Sequence, residues 1–243
     1  MSLARPDLPV APLLQRQAAW LAPARAQLLR WIHVARRFSV LDLGTGHGAV
    51  VPELVRRSSG RVVALDHQAT ALRAPQAFRG AQRLAADARH IPTPAETFDL
   101  IFSQVTLLWV APLEPAIEEI KRTLKPKGVL VALEPDYGGL IEHPPEIDSR
   151  ALWLRALERA GADPYVGRRL PGLLADRGFE VRVSLFDTLF PPDPARFDFL
   201  HDLPLTEQER HNLAEIERQV DGLTQAWKQI AHLPFFLIRA FKR

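Results

Sequence analysis

The sequence predicts an α/β fold, with helices on both faces of an open, mostly parallel sheet and helical excursions late in the chain. Short apolar runs alternate with segments of helical periodicity, the pattern of parallel strands joined by crossover helices. Residues 40–48, Val-Leu-Asp-Leu-Gly-Thr-Gly-His-Gly, carry an apolar strand into three glycines spaced two apart. Acidic or polar residues close five consecutive apolar runs. In an open parallel sheet such strand ends line one edge, where ligands bind at the switch in strand order.

The elements follow in order. Strand one is expected over 39–43, with its helix over 49–57 stopping near Gly60. Strand two covers 61–65 and closes on Asp66. A helix-like segment, 69–78, leads to strand three at 81–86, which closes on Asp87. Strand four, 98–102, closes on Ser103 and Gln104. A helix over 115–124 puts Ile117, Ile120 and Leu124 on one face. Residues 125–128 read as a turn into strand five, 129–133, which closes on Glu134. Beyond it the pattern predicts helices near 147–160 and 170–176, a strand at 179–185, a polar helix over 206–230 and a last strand at 235–241. At the amino end, a helix pair broken near Pro23 presents Leu13, Leu14, Trp20, Leu28, Leu29 and Ile32 to one end of the sheet.

Composition narrows the function. With 243 residues, 47% of them apolar, the chain can bury a large core as one domain. Charged residues make up 24%, and the formal balance of +3 rests on arginine rather than on the five lysines. No block of like charges marks a nucleic-acid-binding tail, so no nucleic-acid partner is expected. The absence of cysteine excludes disulfides, cysteine zinc sites, iron–sulfur clusters and thiol nucleophiles, and no metal site is expected. No apolar run approaches the roughly 18 residues that span a bilayer. The amino terminus lacks the apolar core and cleavage site of a secretory signal. Five arginines and no acid between Leu8 and Leu41 resemble a transit peptide, but the helix pair accounts for them, and a cytoplasmic protein is expected.

The glycine turn defines the ligand. Gly44, Gly46 and Gly48 remove every Cβ from a tight strand-to-helix turn, so a ligand is expected to lie against the backbone. Asp42 offers an acceptor to a cationic or amino group on it. A nucleoside that carries positive charge fits, and S-adenosylmethionine is such a molecule. The dinucleotide pattern G-x-G-x-x-G/A is also met, by Gly44, Gly46 and Ala49 with Asp66 at the ribose position, which keeps an NAD-binding oxidoreductase as an alternative.

With these residues in view, the chain resembles the class I S-adenosylmethionine-dependent methyltransferases, in their small-molecule subgroup. Residues 40–48 resemble the family's first motif in the full D-x-G-x-G-x-G form. Phe98-Asp99-Leu100-Ile101-Phe102-Ser103 followed by Leu108-Trp109-Val110 resembles the fourth-strand segment, and 124–130 the turn before strand five. The resemblance implies a Rossmann-like seven-stranded sheet whose last strand, within 234–242, is antiparallel. It implies that Asp66 grips the ribose hydroxyls, that the Ala86-Asp87-Ala88 segment reads adenine, and that Ser103 and Gln104 flank the methionine moiety. Asp42, Gly44, Thr45, Gly46, Gly48 and His67 complete the implied cofactor set, with S-adenosylhomocysteine as product.

A single domain, 1–243, is expected, divided into a helical cap (1–37), a cofactor-binding core (38–134) and lid or substrate insertions (135–178 and 190–232). The acceptor is expected over strands four and five, walled by Trp109, Glu134, Tyr165 and Arg168. Asp136, Tyr137 and His143 are the candidates for acid–base or orienting roles. Trp153, within a helical pattern, reads as core. Without cysteine, C5-cytosine methylation is excluded, and the D/N-P-P-Y/F signature of amine methylation on nucleic-acid bases is absent after strand four. O-, N- or C-methylation of a small molecule by a monomer or homodimer is the expectation, with a catalytically silent methyltransferase-like binding protein as the alternative.

Overall fold

The computed structural model describes residues 8–223, 225 and 227–243. Its elements, in chain order, are α1 (Ala11–Trp20), α2 (Ala22–Trp31), β1 (Ser39–Leu43), α3 (Val51–Arg57), β2 (Arg61–Asp66), β3 (Ala81–Ala85), β4 (Phe98–Gln104), α4 (Glu114–Thr123) and β5 (Leu124–Pro135). There follow β6 (Ile141–His143), α5 (Arg150–Arg159), α6 (Val166–Ala175), β7 (Phe179–Phe186), α7 (Asp198–His201), α8 (Glu207–Asp221), β8 (Ile230–His232) and β9 (Phe235–Lys242). Seven strands form one sheet in the order β3-β2-β1-β4-β5-β9-β7, and within it only β9 runs antiparallel to its neighbours. The expected seven-stranded sheet with a reversed last strand is thus present. Strands β6 and β8 pair separately as an antiparallel ribbon that the sequence reading missed.

Period-two alternation divides the sheet's apolar residues between two layers, because both faces of a parallel sheet are covered by helices. Val40, Leu100, Phe102, Val129 and Val131 pack with Leu21, Leu28, Leu29 and Ile32 of the amino-terminal helices. Leu41, Leu43, Ile101 and Leu130 pack on the other side with Ile117 and Ile120 of α4 and with residues of α5 and α6. No helix among the described residues is long and apolar enough to cross a membrane.

Several boundaries differ from expectation for local reasons. The break between α1 and α2 falls at Leu21 rather than Pro23. The proline instead occupies the first turn of α2, where its missing N–H has no bond to lose. Residues 69–78 make only a short 3-10 turn, Ala71–Arg73, because Ala74 precedes Pro75 and is driven to an extended ψ of 97°. The expected turn 125–128 lies within β5 as an irregularity, with Lys127 at φ +61° and a register shift against β4. Helix α8 opens on a capping box between Thr206 and Glu209 and stops before Gly222, far short of Ile230, which belongs to β8. Residues 224 and 226 of that expected helix, and 1–7 of the expected cap, lie outside the described residues.

Candidate functional site

A cavity of about 180 Å³ opens at the carboxyl ends of β1, β2 and β4, where the strand order switches. Its floor is the loop after β1. The Gly44 and Thr45 N–H groups donate to Leu65 O at 2.8 and 2.9 Å, tying the loop to the end of β2. The Gly46 N–H donates to Asp66 Oδ2 at 2.8 Å, and Thr45 Oγ1 donates to Asp42 Oδ2 at 2.6 Å. The two acids therefore fix the loop and also face the cavity.

Their environments separate them. Burial pushes the Asp42 carboxyl up to about 6, against the Thr45 hydrogen bond, with the Asp66 charge adding to the rise. Burial acts on Asp66 in the same sense, but bonds from His67 and from the Gln68 and Gly46 N–H groups outweigh it and hold the group below the usual carboxylate range. Asp66 is thus a stable anion, whereas Asp42 titrates just below neutrality. A raised acid loses its contribution to stability as pH rises through the folded value. The ligand-free protein is therefore expected to lose about 3 kcal/mol of Asp42-linked stability between pH 4 and 6, at ~1.4 kcal/mol per unit. Denaturant titrations of the parent and Asp42→Asn across that range check this, since the variant should lack the slope. A cationic ligand group at Asp42 favours the ionised form, so its affinity should fall below about pH 6.

The glycines are explained differently from expectation. A Cβ on Gly44 (φ +72°) would lie 2.1 Å from Thr106 Cγ2, and one on Gly48 (φ +78°) 2.9 Å from the Phe78 ring. Those two glycines make room for protein side chains. Gly48 does not line the cavity, while Gly44 and Gly46 do, and at Gly46 the nearest neighbour is Leu14 Cδ1 at 3.4 Å. Thr106 Oγ1 donates to Gly44 O at 3.2 Å and locks the loop to the turn after β4.

That turn is strained. Val105, a β-branched residue, sits at φ +52°. Glu134 holds it from beneath: Oε1 accepts from Thr106 N at 3.1 Å, Leu107 N at 3.0 Å and Ser103 Oγ at 3.3 Å. Glu134 and Ser103 are fully buried, and neither lines the cavity. The expected roles, Glu134 as acceptor wall and Ser103 beside the cofactor, therefore give way to a support under the turn. Gln104 does line the cavity, and its Oε1 accepts from buried Arg25 Nη1 at 2.9 Å. Arg25 also donates to Glu53 at 2.6 Å, joining α2 to α3 beneath the site.

Of the remaining predicted residues, His67, Asp87, Ala88, Trp109 and Tyr137 stand on the cavity wall. Both Asp87 oxygens accept from Arg89, at 2.8, 2.9 and 2.6 Å, so a base amino group there would share an engaged carboxylate. Tyr137 is buried against Trp153 with centroids 5.0 Å apart, and burial drives its hydroxyl pKa up. It is a neutral hydroxyl at ordinary pH, suited to orienting a ligand rather than to taking a proton.

Asp136, His143, Tyr165 and Arg168 are not on the wall. Asp136 Oδ2 accepts from Arg168 Nε at 2.7 Å and Nη2 at 2.6 Å. Gly138 leaves room for the Tyr165 ring and for the Arg168 guanidinium, which a Cβ there would meet at 2.5 and 3.1 Å. His143 is exposed on the β6–β8 ribbon. The sequence reading missed Leu14, Gln17 and Ala18 of α1 as cavity residues, and Trp153 of α5 lines the cavity besides packing in the core. Only the approach of distant helices brings these four to the site, and no local motif announces it.

Residues 41–132 match the family described as "Methyltransferase domain". The chain is 30% identical over 178 residues to the mitochondrial arginine-hydroxylase NDUFAF5 of Rattus norvegicus, covering 70% of this chain and 50% of that protein. It is 32% identical over 152 residues to malonyl-[acyl-carrier protein] O-methyltransferase of Salmonella typhimurium, covering 62% and 58%. The chain spans about half the length of the curated relatives it matches. A solved SAM-dependent methyltransferase from Aquifex aeolicus superposes with a TM-score of 0.57 at 18% identity, covering 97% of this chain and 100% of that one, which speaks to the fold. Residues 41–132 are thus similar to a methyltransferase domain, and the seven-stranded sheet has the fold of the solved SAM-dependent methyltransferase on which it superposes.

Proposed function

We propose that the chain transfers a methyl group from S-adenosylmethionine to an oxygen, nitrogen or carbon of a small-molecule acceptor. The observation that carries this reading is the cradle at the sheet switch, where Asp42, Gly46 and Asp66 face one cavity. Asp66, an anion at all ordinary pH, suits a pair of ribose hydroxyls through charge-assisted bonds. Asp42 suits the cationic amino group, and Ala88 with Asp87 forms the wall for the base. When bound, S-adenosylmethionine would supply an activated methyl and leave as S-adenosylhomocysteine, with any acceptor proton passing to solvent. The chain's own task is alignment and exclusion of water, which Trp109, Tyr137 and Trp153 serve as an apolar wall.

Calorimetry tests the reading. The parent should bind S-adenosylmethionine saturably and ignore NADH; binding of NADH alone overturns it. Asp66→Ala removes an acceptor worth ~1.5–3 kcal/mol and should weaken cofactor binding by roughly tenfold to a few hundredfold. Formation of S-adenosylhomocysteine with a panel of metabolites then separates an enzyme from a silent binder. That step is needed because a relative named as an arginine-hydroxylase is 30% identical to this chain over 178 residues.

A further inference from the structure

A second cavity, of about 230 Å³, adjoins the first. Gln17, Tyr137, Trp153 and Phe199 line both, so the two meet at a shared wall of three aromatic rings and one amide. Trp20, Phe190, Phe197 and Phe235 add four further rings to the second chamber, which therefore suits a planar or otherwise apolar body.

The charged groups lining this chamber differ in how far they are already satisfied. Glu142 accepts from Ser149 N at 2.7 Å and Ser149 Oγ at 2.8 Å, one donor on each oxygen. Asp193 Oδ1 accepts from Ala195 N at 2.9 Å, and Arg16 is paired with Asp198 at 2.9 Å. Arg196 stands apart. Its guanidinium lies over the Phe197 ring at 4.5 Å, and its hydrogen bonds go to neutral acceptors, Gln229 Oε1 at 3.0 Å and Asp193 O at 3.4 Å. The Glu142 and Asp193 carboxylates act on its charge without bonding it. Its Nε is buried without a partner. Burial of this cation outweighs the nearby Glu142 and Asp193 charges. A ligand carboxylate bonded to the guanidinium would add the charge-assisted contact and planar match that its neutral acceptors lack.

We propose that the second chamber is the acceptor site and that the acceptor is an apolar, planar molecule bearing a carboxylate held by Arg196. This rests on the methyl-transfer reading for the identity of the first chamber's ligand. Arg196 belongs to the second chamber alone, so a molecule anchored there presents its opposite end to the shared wall of Tyr137, Trp153 and Phe199. The atom methylated is therefore not the carboxylate. Arg196 is a specificity-determining residue in this arrangement.

The test uses 2-naphthoate, its neutral isostere 2-naphthamide and the cation 2-naphthylmethylamine, titrated against the whole chain with and without S-adenosylhomocysteine. The carboxylate should bind roughly tenfold to a hundredfold more tightly than the amide, as expected for a charge-assisted pair. Arg196→Gln should bring the two to equal affinity, and Arg196→Lys, which keeps the charge but not the fork, should fall between. S-adenosylhomocysteine affinity should hold in both variants, which also reports that they are folded. Equal binding of naphthoate and amide by the parent overturns the proposal, as does failure of both to bind. Preference for the amine overturns it by moving the recognised charge to Glu142. Failure of S-adenosylhomocysteine alone sinks the methyl-transfer reading, while the naphthoate preference still reports on Arg196.

Discussion

Gly44→Ala is expected to lower the melting temperature by roughly 10 °C and to abolish measurable cofactor binding. The left-handed backbone at φ +72° alone costs an alanine about 1–2 kcal/mol. The new Cβ would also stand 2.1 Å from Thr106 Cγ2 and 2.4 Å from Thr106 Oγ1, and such overpacking adds about 1–3 kcal/mol. For a domain of this size each kcal/mol moves the melting point by about 2–4 °C. The loop must shift to relieve the contact, and the Gly46 N–H bond to Asp66 and the Thr45 bond to Asp42 shift with it. Thermal unfolding and calorimetry on the same preparation report both effects. Thr106→Ala introduced into the Gly44→Ala background removes the two nearest atoms but leaves Cβ at 2.8 Å, so it should recover only part of the overpacking cost. Gly46→Ala, with nothing nearer than 3.4 Å, is expected to cost no more than the backbone part in stability. Unchanged stability of Gly44→Ala would show that the Thr106 contact is not what makes glycine necessary there.

Glu134→Ala should cost about 3–5 kcal/mol, because it leaves the buried N–H groups of Thr106 and Leu107 and the hydroxyl of Ser103 without their acceptor. The strained turn at Val105 then loses its support, and Gln104, Thr106 and Trp109 leave the cavity wall with it. Glu134→Gln keeps the acceptor and isolates the charge. Burial raises the Glu134 carboxyl to about 7, with the backbone bonds from Leu107 and Thr106 opposing, and Oε2 is buried without a partner, where a proton is readily held. An acid raised from 4.5 to about 7 contributes stability that is present below pH 4.5 and lost as pH climbs through 7, about 3 kcal/mol in all. Denaturant melts at pH 5.5 and pH 8 should show the parent weakening toward pH 8, with the slope much reduced in Glu134→Gln. A parent slope that survives in Glu134→Gln would assign it to other groups.

Strands β1, β2, β4 and β5 were legible because a buried parallel strand is a short apolar run with an abrupt polar end. The 69–78 segment was not, since the proline that unravels it is a single residue within a favourable apolar pattern. The ribbon β6–β8 joins two three-residue strands almost ninety positions apart, and no local periodicity marks so short an element. At the site, the glycine turn and the acids at the ends of β1 and β2 stand out in the sequence, and the fold places Asp42, Gly44, Gly46 and Asp66, though not Gly48, on one cavity. Asp136 and Arg168, acceptor-side candidates from the sequence, instead pair with each other, because two opposite charges within reach of one another do so.

By itself the sequence determined the winding of the sheet, the position of the glycine turn and the two acids that anchor it, because these depend on local pattern and on neighbours along one strand. The packing of distant segments decided why Gly44 must be glycine, that Glu134 supports a turn instead of facing a ligand, and that α1 and α5 complete the cavity. The Thr106–Gly44 contact, and the meeting of Gln17 and Trp153 on one cavity wall, bring together residues far apart in the chain. Their geometry follows from how helices settle on a twisted sheet, which no stretch of sequence encodes alone.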